Sequence, residues 1–170
     1  MKLSNPGELS WYALYTRART EKKIDKLLRD TGIDSYVPLK RILKQWSDRK
    51  KWVEEPLIRS YVFVRISEKE YFDVVKTMGI VRFITFSGTA AAIPDWQIDS
   101  LKILLNGNED FEMISEKLQA GAAVEVVSGP LAGFRGEMVE WKGKKSIVLR
   151  INEIGLALTV TVSLASLKAL

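Results

Sequence analysis

Val124-Glu-Val-Val-Ser-Gly-Pro-Leu-Ala-Gly-Phe-Arg-Gly136 decides how the last third of this 170-residue chain folds. Val124-Glu125-Val126 alternates as a half-buried strand does, and Ser128-Gly129-Pro130 turns it. Gly129 and Gly133 permit tight turns at positive φ, and Gly136 lets a strand bend at a barrel corner. From Ala120 onward only strand signals follow. Met138–Trp141 and Ser146–Ile151 flank a Lys142-Gly143-Lys144 turn, and Leu156–Leu164 ends the series. Four or five short strands in about 50 residues predict a small barrel over 120–170.

Working back from the barrel, Asn108–Gln119 is acidic and weakly periodic, so 106–119 reads as a linker with one helical turn at Ile114–Leu118. Residues 9–105 then form a first domain. Trp11–Thr16 is an uncharged, aromatic-rich strand; Thr20 can cap a helix with Ile24, Leu27 and Leu28 inward and Gly32 at its end. Tyr36–Leu43 and a return through Val53 suggest a long basic hairpin, followed by the strand Tyr61–Ile66. Ser67-Glu68-Lys69-Glu70 is a capping box opening a helix with Phe72, Val75 and Met78 inward. A strand at Val81–Phe86 and a helix from Pro94 with Ile98, Leu101, Leu104 and Leu105 inward complete the order β-α-β-β-α-β-α. The fold class is α+β, a split βαβ sandwich followed by a small barrel.

Composition limits what such a chain can do. It has no cysteine and no histidine, which removes thiol chemistry, the usual general base and the commonest transition-metal ligands. Carboxylate- or lysine-dependent catalysis is all that remains of the enzyme reading, and Glu54 and Glu55, adjacent on a strand, face opposite sides and make a poor dyad. No enzyme, metal or cofactor is expected. The first residues lack the apolar core of a signal peptide, and the late uncharged run Ile154–Leu167 is short of the roughly 20 residues a span needs. A cytoplasmic monomer is the expectation.

The formal net charge is +5, but residues 1–66 carry 15 Lys/Arg against 8 Asp/Glu and the rest carries 11 against 13. That asymmetry suggests a polyanion near the first part, with a solvated basic face as the alternative. Arg17, Arg19, Lys22, Lys23 and Lys26 lie outside the Ile24/Leu27/Leu28 face, where they would meet DNA phosphates. Trp46 and Trp52 flank the hairpin tip and can either stack on bases or form a cross-strand pair. Lys142, Lys144 and Lys145 can touch RNA or form a solvated tip.

The Val124–Gly136 run resembles a KOW motif, found in SH3-like barrels of transcription elongation factors and some ribosomal proteins. Trp11-Tyr12-Ala-Leu-Tyr15-Thr with its Arg-rich helix, Glu55-Pro56-Leu57, Tyr61-Val62-Phe63-Val64, Gly79-Ile80-Val81-Arg82-Phe83 and Ile93-Pro94 resemble the N-terminal domain of the NusG family. The hairpin, the YVFV strand and the short loop before Ile93 look closer to its operon-dedicated antiterminators of the RfaH and UpxY kind. Two departures stand out: Arg59-Ser60 where the family often has Pro-Gly, and Ile154-Gly155 where it commonly has Phe-Gly.

The resemblance implies a non-enzymatic transcription elongation and antitermination factor. Its N-terminal domain would dock on the clamp helices of RNA polymerase, bridge the DNA cleft along non-template or upstream DNA, and suppress pausing. The barrel would recruit the ribosome or a termination factor through Ile154-Gly155. By motif position Tyr61, Phe63 and Phe86 match the aromatic residues that bind the polymerase. Tyr61 and Phe63 share one sheet face, and Trp11, Ile24, Leu28, Val62, Val64, Phe72 and Val75 would fill the other, leaving the three rings on an uncovered patch. The competing reading is a KOW-type RNA-binding protein acting in ribosome assembly or translation.

Overall fold

A computed structural model describes residues 2–115 and 118–170. The chain divides into two compact units, Met1–Ala92 and Ile93–Leu170.

The first unit holds β1 (Lys2–Leu3), β2 (Ser10–Thr16), α1 (Glu21–Asp30), β3 (Asp34–Tyr36), β4 (Leu39–Gln45), β5 (Lys50–Pro56) and β6 (Tyr61–Ile66), then α2 (Tyr71–Lys76), β7 (Ile80–Phe83), β8 (Thr85–Phe86) and β9 (Thr89–Ala90). Its main sheet has the order β3-β6-β2-β7, antiparallel throughout, with Tyr12 opposite Val64 and Leu14 opposite Val62. Alternation sorts the two faces. Tyr12, Leu14, Val62, Val64 and Ile66 pack with Ile24 and Leu28 of α1 and Val74 of α2 into one buried core. Trp11, Ala13, Tyr15, Tyr61 and Phe63 point the other way.

Several expectations need correction. Trp11 lies on the face opposite the helices, because it alternates with Tyr12. In α2 the inward residues are Tyr71 and Val74, while Phe72, Val75 and Met78 are exposed. The capping box forms, but the turn it opens, Glu68–Glu70, is a tight 3₁₀ turn, which changes the phase of the helix that follows. The strand expected at Tyr36–Leu43 is broken at Val37-Pro38, since proline has no N–H for a ladder. Residues before Leu9 are not outside the fold: β1 pairs in parallel with β9, and Leu3 joins the core. Thr20 occupies the N-cap position of α1, yet its hydroxyl donates back to the Arg17 carbonyl at 2.6 Å and caps nothing.

The second unit contains α3 (Asp95–Asn106), β10 (Phe111–Met113), β11 (Ala123–Val126), β12 (Arg135–Trp141), β13 (Lys144–Ile151), β14 (Leu156–Thr161) and β15 (Leu167–Ala169). The strands form one sheet in the order β10-β14-β13-β12-β11-β15. The barrel strands are where the glycines and alternation put them. The stretch before them is not a free linker: β10 pairs with β14, and Ile114 is buried with Val139 and Val148. The expected helical turn at Ile114–Leu118 includes Glu116 and Lys117, which lie outside the described residues. Helix α3 packs within this unit, whereas the sequence reading groups it with residues 9–105. Ile98, Leu101 and Leu104 are buried, and the Arg135 backbone N–H donates to Ser100 Oγ at 2.9 Å. An apolar helix face shows that a helix is covered, not by which domain.

Candidate functional site

The sequence reading puts basic residues along α1, and the structure brings two of them, Arg19 and Lys22, to a groove against the β4–β5 hairpin. Arg17, Arg19, Lys22, Lys23 and Lys26 are all exposed. Arg19 and Lys22 line a groove of about 600 Å³ with Lys44, Arg59, Glu55 and Pro56. Lys44 and Arg59 are members that no helix-based reading could find, because they reach the groove from the hairpin and from the turn before β6. Lys22 Nζ donates to the Glu54 carbonyl at 2.6 Å, so helix and hairpin are joined at the groove. Lys44 pairs with Glu55, and that hydrogen bond with the nearby cations holds the Glu55 carboxyl below its ordinary value. At the outer end Lys26 pairs with Asp30 one turn on, at 2.9 Å, an exposed pair of little energetic weight.

The groove floor rests on Glu21 and Ser60. Glu21 is buried in the first turn of α1, where a carboxylate faces the positive end of the helix dipole. Its Oε1 accepts the Ser60 backbone N–H at 2.6 Å. Ser60 has φ 65°, so Arg59-Ser60 makes the left-handed turn that a glycine would make without strain.

The aromatic residues are not alike. Tyr61 is half-buried and meets Tyr15 edge-on at 5.8 Å, with Arg82 over the Tyr15 ring at 5.6 Å. Phe86, on β8, is 79% exposed. Phe63 shares the face of Tyr61 but is fully buried, stacked on Tyr36 at 6.4 Å; burial also pushes the Tyr36 phenol up. An uncovered patch of all three rings is therefore not what the structure contains. Alternation put Tyr61 and Phe63 on one face, but of the seven residues expected to fill the other, Trp11, Phe72 and Val75 lie outside that core, and exposure could not be read from the count.

In the barrel, Gly155 is exposed at φ 64° and Ile154 is half-buried at the end of a 3₁₀ turn, Asn152–Ile154. Lys142 is not a free tip residue: its Nζ reaches Glu112 at 2.6 Å. The two hairpin tryptophans do not pair with each other, since Trp52 stands opposite Leu43. Among the described residues no three Asp or Glu gather to hold a metal ion, and no helix is long and apolar enough to cross a membrane.

A family model described as "Transcription termination factor nusG" matches residues 9–102. Among solved structures, the chain is similar to one titled "Domain interaction in Thermotoga maritima NusG", at 20% identity over 95% of this chain and 97% of that one, with a TM-score of 0.48. It is also similar to an MjSpt4:Spt5 complex in conformation B, at 19% identity over 94% and 96%, with a TM-score of 0.32. The family match spans more than half of the chain and carries the assignment: this protein belongs to the NusG family of transcription factors.

Proposed function

We propose that this chain binds the clamp helices of RNA polymerase, bridges the DNA cleft and suppresses pausing or termination. The observation that carries the reading is the pairing, within one unit, of exposed Phe86 and half-exposed Tyr61 with a groove lined by Arg19, Lys22, Lys44 and Arg59. An exposed aromatic is a protein anchor, and clustered cations are a phosphate track. Phe63 supports Tyr61 from within the sheet face rather than touching the partner. Arg17, Lys23 and Lys26 extend the track along α1 toward non-template or upstream DNA. The barrel recruits a second partner, the ribosome or a termination factor, through Ile154-Gly155. The Ile154 side chain offers apolar area there but no aromatic ring.

Capture on the tagged full chain from a nuclease-treated lysate tests the reading. Retention of RNA polymerase without nucleic acid is expected. Recovery of ribosomal RNA without polymerase would overturn it in favour of an RNA-binding role in ribosome assembly or translation.

A further inference from the structure

The groove against the β4–β5 hairpin differs from the rest of the basic surface in how its charges are set. Arg17, Lys23 and Lys26 are exposed along α1 and do not line it. Within it, Arg19 and Lys22 come from the entry and first turn of α1, Lys44 from β4 and Arg59 from the turn before β6, so four cations meet two carboxylates in about 600 Å³. One of those carboxylates shows where the cations converge. Glu55 pairs with Lys44, and Arg59 and Lys22 add to the field that holds its carboxyl below the ordinary value. The other, Glu21, is buried on the Ser60 backbone N–H. Among the described residues neither Arg19 nor Arg59 is held in an ion pair. The walls are fixed without a ligand, because Lys22 Nζ donates to the Glu54 carbonyl at 2.6 Å and the Glu21–Ser60 bond ties the turn to the helix. No side chain caps α1, so its first N–H groups add positive potential at the same end.

We propose that this groove binds a compact diphosphate group, free or carried by a nucleotide. A nucleic-acid strand presents its phosphates singly, one per nucleotide, and suits cations set out in a line. Cations that converge from three elements suit several negative charges held on two adjoining phosphorus atoms. The guanidinium groups of Arg19 and Arg59 supply paired N–H donors for two phosphate edges, and Lys22 and Lys44 act as point charges between them. Among the described residues no aromatic ring lines the groove, so it reads the diphosphate and not a base. Glu55 occupies part of the same field and competes with the ligand for Lys44. The proposal rests on reading this groove as a phosphate-binding surface and is independent of polymerase binding.

Isothermal titration of the full chain tests it, with inorganic pyrophosphate, orthophosphate, ADP and CDP, no divalent cation, and about 150 mM salt to screen distant charges. Pyrophosphate is expected to bind at least about 10-fold tighter than orthophosphate. Arg19→Gln and Arg59→Gln should each weaken it by roughly 10-fold. Lys23→Gln and Lys26→Gln, outside the groove, should change it by less than about 2-fold. Glu55→Gln should tighten it by about 5-fold, since it removes a competing anion and frees Lys44; a purely structural groove gains nothing from that change. ADP and CDP bound equally, and as tightly as pyrophosphate, would support the proposal with a nucleotide as the source. Pyrophosphate bound tighter than both would support it with the free anion. Equal affinity for pyrophosphate and orthophosphate would overturn the proposal, as would equal losses in variants inside and outside the groove. Labelled duplex DNA is titrated in parallel, and duplex binding without diphosphate binding would overturn this proposal while leaving the DNA reading standing.

Discussion

The backbone N–H of Ser60 donates to Oε1 of Glu21 at 2.6 Å, tying the turn before β6 to the first turn of α1. Both residues are buried, so the bond has no water to replace it. Glu21→Ala leaves a buried donor unpaired and should cost about 1–3 kcal/mol. Glu21→Gln keeps an acceptor oxygen and should cost less. Urea midpoints measure both; equal losses would mean the charge, not the acceptor, matters.

Phe63 and Phe86 are expected to separate cleanly. Phe63→Ala removes a fully buried ring and should destabilise the protein by about 3–5 kcal/mol. Phe86→Ala removes a ring that is 79% exposed and should change stability by about 0.5 kcal/mol or less. Thermal unfolding of the two variants decides this, and similar midpoints would contradict the burial assignment.

Two glycines of the barrel motif serve different needs. A Cβ on Gly136 would lie 2.5 Å from the Val148 carbonyl oxygen and 2.5 Å from Ile147, so Gly136→Ala forces β12 and β13 apart and should cost about 3 kcal/mol or more. Gly129 has φ 84° with open space around it, and Gly129→Ala should cost only the left-handed strain, roughly 1 kcal/mol. Comparable losses at both sites would show that the turn, not the close strand approach, limits the barrel.

The capping box should make part of the stability pH-dependent. The Ser67 hydroxyl and backbone N–H both donate to Glu70 Oε2, at 2.7 and 2.9 Å, and these bonds hold the Glu70 carboxyl below its ordinary value. A depressed carboxyl contributes stability that is complete above its unfolded pKa and disappears as pH falls through its folded one. Ser67→Ala should therefore cost about 1 kcal/mol near neutrality and progressively less as pH drops below about 4. A penalty independent of pH would assign the cost to Ser67 alone.

How far the sequence could be read depended on the kind of signal. Alternation placed Tyr61 and Phe63 on one face and Val62 and Val64 on the helix side, because a strand's period leaves no freedom. The short α2 had no such protection. Its 3₁₀ start rotated Phe72 and Val75 outward, and six residues are too few for the periodicity to correct the phase. Phe111–Met113 looked like tether because an edge strand with acidic neighbours carries almost no apolar pattern. The groove was half legible: Arg19 and Lys22 share a helix, whereas Lys44 and Arg59 join them only through the fold.

Polymerase binding through the exposed aromatic residues is decided by an affinity titration. Purified RNA polymerase is titrated with the full chain and with Phe86→Ala, whose fold is expected to stay intact. A loss of roughly 30-fold is expected for the variant, the cost of truncating an aromatic anchor worth about 2 kcal/mol. Unchanged affinity in a variant that melts with the wild type would contradict it.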